Sequence, residues 1–167
     1  QIFRPYPGQF TVVTGEPGCG KSTFLLNLLS NLHKLHGVKS FLFVPENESD
    51  LYEKLERIWG KDVAGFQRFC RENYVQSAML DSFDAPAITL NWVLQQAVTA
   101  IENGGVDFLL IDPWNELDWA KPKDQSMTDY VADCLKMLKH FARIYQVSIF
   151  VVAHPTKARA AGSGPVT

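Results

Sequence analysis

The sequence predicts a doubly wound α/β layer with a mostly parallel sheet. Short, continuous apolar runs alternate with longer stretches whose apolar residues recur at helical spacing. The runs Ser40–Val44, Phe108–Ile111 and Val147–Val152 are apolar throughout rather than alternating, as strands covered on both faces require. Polar residues follow the runs directly, so a parallel sheet would gather them at one edge.

In chain order, residues Gln1 to Gly8 contain Pro5 and Pro7 and read as an extended lead-in to a strand over Gln9–Thr14. A helix is expected from Lys21 to Leu35, with Phe24, Leu25, Leu28, Leu29, Leu32 and Leu35 on one stripe and Gly37 as its stop. After the Ser40–Val44 strand, two helices are expected over Asp50–Trp59 and Asp62–Asn73, separated at Gly60. Their apolar positions are Leu51, Leu55 and Ile58 in the first, and Val63, Phe66, Phe69 and Cys70 in the second. A weak strand falls within Tyr74–Leu80, best placed at Ser77–Leu80.

Thr89 caps a helix carrying Leu90, Val93, Leu94, Ala97, Val98 and Ile101, which Gly104 and Gly105 terminate. The strand Phe108–Ile111 follows. Ser126, with Asp129 three residues on, starts the last helix, whose stripe runs from Met127 to Tyr145. The final strand ends at Ala153-His154-Pro155. Residues 156–167 show no periodicity and read as a mobile loop within a single domain spanning 1–167.

Composition narrows the function classes. No run of about 18 apolar residues occurs, so no membrane-spanning helix is expected. Cys19, Cys70 and Cys134 are odd in number and lack metal-ligand spacing, which fits a reduced, intracellular protein. A formal net charge of -2 with no basic block gives no global footprint for nucleic acid, so any such contact must be local. The chain also starts without Met, as an excerpt of a longer protein would.

The chemistry is concentrated in Gly15-Glu16-Pro17-Gly18-Cys19-Gly20-Lys21-Ser22-Thr23, a Gly-x4-Gly-Lys-Ser spacing between a strand and a helix. Such a loop turns successive N–H groups toward phosphate oxygens, and the helix dipole adds positive potential there. Lys21 then supplies a charge to the outer phosphates of ATP, and the Ser22 hydroxyl ligates Mg²⁺. Asp112, closing the apolar Phe108–Ile111 run, has the Walker B position and would hold the same Mg²⁺ through its water shell.

Hydrolysis also needs a base for the attacking water. Glu46 at the end of the second strand is the candidate, with Glu48 as competitor. His154, directly after the last strand, is placed to sense the γ-phosphate or simply to cap the strand. His33, His36 and His140 fall on helices and are expected at the surface. Trp114 and Trp119 could stack on a base or pack beneath their loop.

Four segments together resemble the motor domain of the DnaB-like replicative helicases, in particular the bacteriophage primase-helicases and their mitochondrial relative Twinkle. They are Val12–Phe24 around the glycine loop, Phe43-Val-Pro-Glu-Asn47, Leu109-Leu-Ile-Asp-Pro-Trp-Asn-Glu-Leu117, and Val151-Val-Ala-His-Pro-Thr-Lys157. The resemblance implies a RecA-like P-loop NTPase core that forms a ring, usually a hexamer, around single-stranded DNA, with ATP between subunits. It implies Glu46 as catalytic base, Lys21 and Ser22 on phosphates and Mg²⁺, Asp112 on Mg²⁺, and His154 as γ-phosphate sensor. Lys157 and Arg159 would fall in a DNA-contacting loop. Replication partners such as primase or polymerase, and a cytoplasmic or mitochondrial location, are implied with it.

The family's motor continues with further strands and an arginine finger beyond the position of Thr167, and a primase-like or amino-terminal domain and linker helix precede it. The core is therefore expected to be truncated at its C-terminus, and an arginine finger contributes on the order of 10³ to 10⁵ in rate. The isolated chain is expected to bind nucleotide but hydrolyse it poorly. Three other readings compete: a RecA or recombinase-like DNA-dependent ATPase, a P-loop small-molecule kinase with a lid over residues 49–70, and a nucleotide-gated assembly module without productive turnover.

Overall fold

The computed structural model describes residues 5–45, 48–76 and 87–154. Five strands occur among them: β1 (Phe10–Thr14), β2 (Ser40–Phe43), β3 (Tyr74–Gln76), β4 (Phe108–Ile111) and β5 (Ser148–Ala153). They form one sheet in the order β1-β5-β4-β2-β3, and every neighbouring pair is parallel. The helices are α1 (Lys21–His36), α2 (Glu48–Trp59), α3 (Val63–Glu72), α4 (Leu90–Gly104) and α5 (Met127–Tyr145), with a 3-10 turn at Trp114–Glu116. Pro7 and Gly8 form a turn rather than a fully extended lead-in, closed by Gln9 N–H on the Tyr6 carbonyl.

The strand runs are apolar throughout because both faces of the sheet are covered. Phe41, Phe43, Leu109, Ile111, Ile149 and Val151 point into the layer built from α4 and α5. Leu42, Phe108, Leu110, Phe150 and Val152 point into the layer built from α1, α2 and α3. Period-two alternation thus sorts one continuous apolar sequence into two cores.

The helix ends follow their predicted chemistry. Thr89 Oγ1 accepts the Trp92 N–H, and Ser126 Oγ accepts the Asp129 N–H at 3.1 Å while its hydroxyl donates to the Asp129 carboxylate at 2.7 Å. Gly37 N–H closes α1 on the His33 carbonyl from a left-handed conformation, φ 67°.

Three expectations are corrected. The buried face of α1 is Lys21, Leu25, Leu26, Leu29, Ser30 and His33, whereas Phe24 and Leu35 are 58% and 71% exposed. The helix lies between the sheet on one side and α2 and α3 on the other, which rotates its buried arc away from a stripe chosen for one contact surface. His33 is consequently buried, not at the surface: its ring lies edge-on to Phe69 at 5.2 Å, Nδ1 sits 3.0 Å from the Val38 carbonyl, and Nε2 sits 3.4 Å from Glu72. His36 and His140 are exposed as expected.

The third correction concerns β3, which pairs Tyr74–Gln76 with Phe41–Phe43 and so starts earlier than Ser77. Asn73 explains the early start. Its Oδ1 accepts the Ser40 N–H at 2.6 Å and its amide donates to the Phe69 carbonyl at 2.8 Å, tying the end of α3 to the first residue of β2. The proposed Ser77–Leu80 strand and the 156–167 loop lie outside the described residues.

Candidate active site

The strand order places the carboxyl ends of β1, β5, β4 and β2 side by side, and the groups that follow them meet over the sheet edge. After β1 the chain turns through Gly18 and Gly20, with φ 77° and 89°. Nothing lies within 4 Å of a Cβ built at either position, so the left-handed backbone, not crowding, calls for glycine there. Gly20 is the N-cap of α1 and contributes no side-chain cap, which leaves first-turn N–H groups of α1 facing the cleft without a protein acceptor from the cap.

Lys21 is only 8% exposed. Its ammonium donates to the Gly15 and Glu16 carbonyls at 2.9 and 2.8 Å and lies 3.7 Å from the Cys19 sulfur. Gly15, Glu16 and Cys19 therefore act on the lysine and on the loop's curvature. Pro17, Gly18, Gly20, Lys21, Ser22 and Thr23 line a cleft of about 420 Å³. Asp112 from the end of β4, His154 from the end of β5 and Lys54 from α2 complete its walls.

Asp112 is buried, and its N–H donates to the Phe43 carbonyl at 3.0 Å, which ties it to the end of β2. Burial pushes its carboxyl above the ordinary carboxylate range; a hydrogen bond from Ser22 and the charges of Lys54, His154 and Lys21 act in the opposite direction. The Ser22 hydroxyl and Asp112 carboxylate, two hard oxygen donors in contact, suit a small divalent cation that keeps several waters and takes phosphate oxygens as well. No cluster of three or more His, Cys, Asp or Glu that could hold a metal occurs among the described residues, and Mg²⁺ in such a site does not need one.

His154 is held through its backbone. Its N–H donates to Asn115 Oδ1 at 2.9 Å, and its Nδ1 is buried without a hydrogen-bond partner among the described residues. Trp114 is buried and meets Trp119 edge-on at 5.6 Å, with Tyr130 on the far side of Trp119 at 6.0 Å. Both indoles are thus engaged within the loop, which favours packing over base stacking. Glu46, Lys157 and Arg159 lie outside the described residues.

The model of the AAA domain family matches residues 5–160. The chain belongs to that family. This AAA domain is 28% identical over 174 aligned residues to the Twinkle homolog protein, chloroplastic/mitochondrial, of Arabidopsis thaliana, an alignment covering 92% of the chain and 24% of the relative. It thus spans about a quarter of that protein's length. In structure it is similar to a solved ATPase domain, that of a DnaB-like phage helicase, with a TM-score of 0.64 and 18% identity over 91% of this chain and 59% of that one. The matches bear out the resemblance drawn from the four motifs, and the structural likeness bears out the RecA-like fold class.

Two residues of the AAA domain's cleft carried no expectation from sequence. Asn115 sat inside a recognised segment, but nothing in the spacing shows that a side chain after β4 reaches the backbone after β5. Lys54 had a weak signal: it lies three residues after Leu51 and one before Leu55, both buried, so the phase of α2 turns it toward the protein.

Proposed function

We propose that this AAA domain is the ATP-driven motor of a DnaB-like replicative helicase, coupling ATP binding and hydrolysis to movement along single-stranded DNA and to duplex unwinding. The observation that carries the reading is the convergence of Lys21, Ser22, Asp112 and His154 on one cleft beneath a glycine turn. In this reading the loop from Gly15 to Thr23 binds the phosphates, Lys21 neutralises charge on them, and Ser22 and Asp112 hold Mg²⁺. When bound, Mg²⁺ supplies charge stabilisation to the phosphate oxygens.

Glu46 is the proposed base and His154 the γ-phosphate sensor. The backbone bond from His154 to Asn115 supports the second role, since a group fixed by its main chain keeps its ring free to respond to a ligand. Lys157 and Arg159, which follow His154 in sequence, are the proposed DNA phosphate contacts. The similarity to the Twinkle homolog supports a hexameric ring working with primase or polymerase in a DNA-containing compartment, bacterial or phage-infected cytoplasm or an organelle. No described helix is long and apolar enough to cross a membrane.

The test is nucleotide hydrolysis by the full-length protein, wild type and Glu46→Gln, with and without single-stranded DNA. The expected result is DNA-stimulated turnover that the substitution abolishes while ATP still binds. Turnover indifferent to both DNA and Glu46 would replace this reading with phosphoryl transfer to a small molecule. The 167-residue domain alone should bind ATP and turn it over slowly.

A further inference from the structure

Lys54 is a half-buried cation in the wall of the cleft that the glycine loop does not form. It comes from α2, whose Leu51 and Leu55 are buried in the same core as Leu25, Leu26 and Leu29 of α1. The packing of α2 on α1 therefore fixes where the lysine stands relative to the loop. Lys54 also lines a second, small pocket of about 30 Å³ beside Ser22 and Asp112, so it adjoins both oxygen donors of the cation site.

Its charge acts on Asp112 ahead of those of His154 and Lys21 among the cations around that carboxylate. The two lysines of the cleft differ in how they are held. Lys21 is bound back onto the Gly15 and Glu16 carbonyls. Lys54 forms no ion pair within 4.0 Å of an acidic group among the described residues, although Asp50 lies one turn before it and lines the same small pocket.

A desolvated ammonium facing a carboxylate without pairing with it is poised for an anion entering between them. We propose that Lys54 contacts the terminal phosphate of a bound nucleoside triphosphate from the side opposite the glycine loop, and so discriminates triphosphate from diphosphate. The assignment rests on the nucleotide-binding reading of the cleft. A diphosphate held by the loop ends one phosphate short of the α2 wall, whereas a triphosphate spans from the loop to Lys54. Nucleotide identity would then reach α2 directly, through a charge on its inward face.

The test compares fluorescent methylanthraniloyl derivatives of ATP and ADP bound to the full-length protein, wild type, Lys54→Gln and Lys54→Arg, with Lys21→Ala as a marker for the loop. Loss of one charge-assisted contact should weaken ATP binding by about tenfold in Lys54→Gln and ADP binding by less than about twofold, with Lys54→Arg recovering most of the difference. Unchanged ATP affinity in Lys54→Gln would overturn the proposal. So would equal losses for ATP and ADP in both Lys54 variants, which would make the residue a support of the fold. Wild-type protein that binds neither nucleotide would overturn the nucleotide reading and this assignment with it, an outcome distinct from failure of Lys54 alone.

Discussion

Asn115 Oδ1 accepts the backbone N–H of His154 at 2.9 Å, a side-chain bridge from the turn after β4 to the residue that ends β5. The bridge links the chain after Asp112 to the chain after the sheet, and its length leaves little freedom between them. Asn115→Ala removes the acceptor while leaving Ser22, Asp112 and the glycine loop in place. The expected outcome is nucleotide affinity within about twofold of wild type but a fall in kcat of about tenfold, as when a positioned group is loosened rather than lost. A parallel fall in affinity would show that the bridge supports binding instead.

Asn73 is buried where α3, β2 and β3 meet, and its side chain satisfies both the Ser40 N–H and the Phe69 carbonyl. Asn73→Ala leaves the Ser40 donor without its partner inside the protein. A loss of about 1–3 kcal/mol in unfolding free energy is expected, measurable by urea denaturation. Asn73→Asp keeps an acceptor for Ser40 but brings a second carboxylate near the buried His33 and Glu72 cluster and loses the donor to Phe69. It should be destabilised as well.

Asp62 caps α3 through the Gly65 N–H at 3.0 Å and lies 3.4 Å from Lys34. The backbone hydrogen bond first, and Lys34 second, hold its carboxyl below the ordinary value. A carboxylate depressed in the folded state stabilises the protein above its unfolded pKa, and that stability disappears as pH falls through the folded value. Asp62→Ala should therefore lower Tm at neutral pH, and the gap from wild type should narrow below about pH 4. A gap that stays constant down to the acid limit would show that the charge contributes nothing.

The three thiols should react in order of exposure. Cys19 is exposed on the glycine loop, Cys70 is intermediate, and Cys134 is buried in α5. Burial raises the Cys134 and Cys70 thiols above the usual value, so both burial and protonation slow their attack. With N-ethylmaleimide, mass spectrometry should find Cys19 modified first and Cys134 last. ATP should slow the Cys19 reaction if the loop closes on phosphate, whereas equal rates for Cys19 and Cys134 would contradict the packing of α5.

Much of the fold was legible because β4 and β5 carry runs whose continuity itself reports burial on both faces, and because Gly37, Thr89 and Ser126 mark helix ends with local chemistry. Lys21, Ser22, Asp112 and His154 could be placed together for the same reason: each follows a strand, and parallel strands share an edge. What escaped depended on contacts between distant segments. His33 reads as a polar residue on a leucine-rich helix until α3 is laid over it. Phe24 reads as core until the second covering layer turns α1 away from it. Lys54 and Asn115 act across gaps in the chain that periodicity does not measure.

The strand order carries a consequence for synthesis of the protein. β1, which leads into the glycine loop, is paired only with β5 among the described strands, Phe10 lying opposite Ile149. On the ribosome the loop's supporting strand emerges early and waits for nearly the whole chain before its neighbour exists, roughly 7 to 30 s at ordinary rates of elongation. Throughout that interval the nascent chain carries Lys21 and the glycine turn without the β5 strand that holds His154 beside them. The newly made polypeptide therefore gains its complete cleft late, in a single closing step, when β5 inserts between β1 and β4.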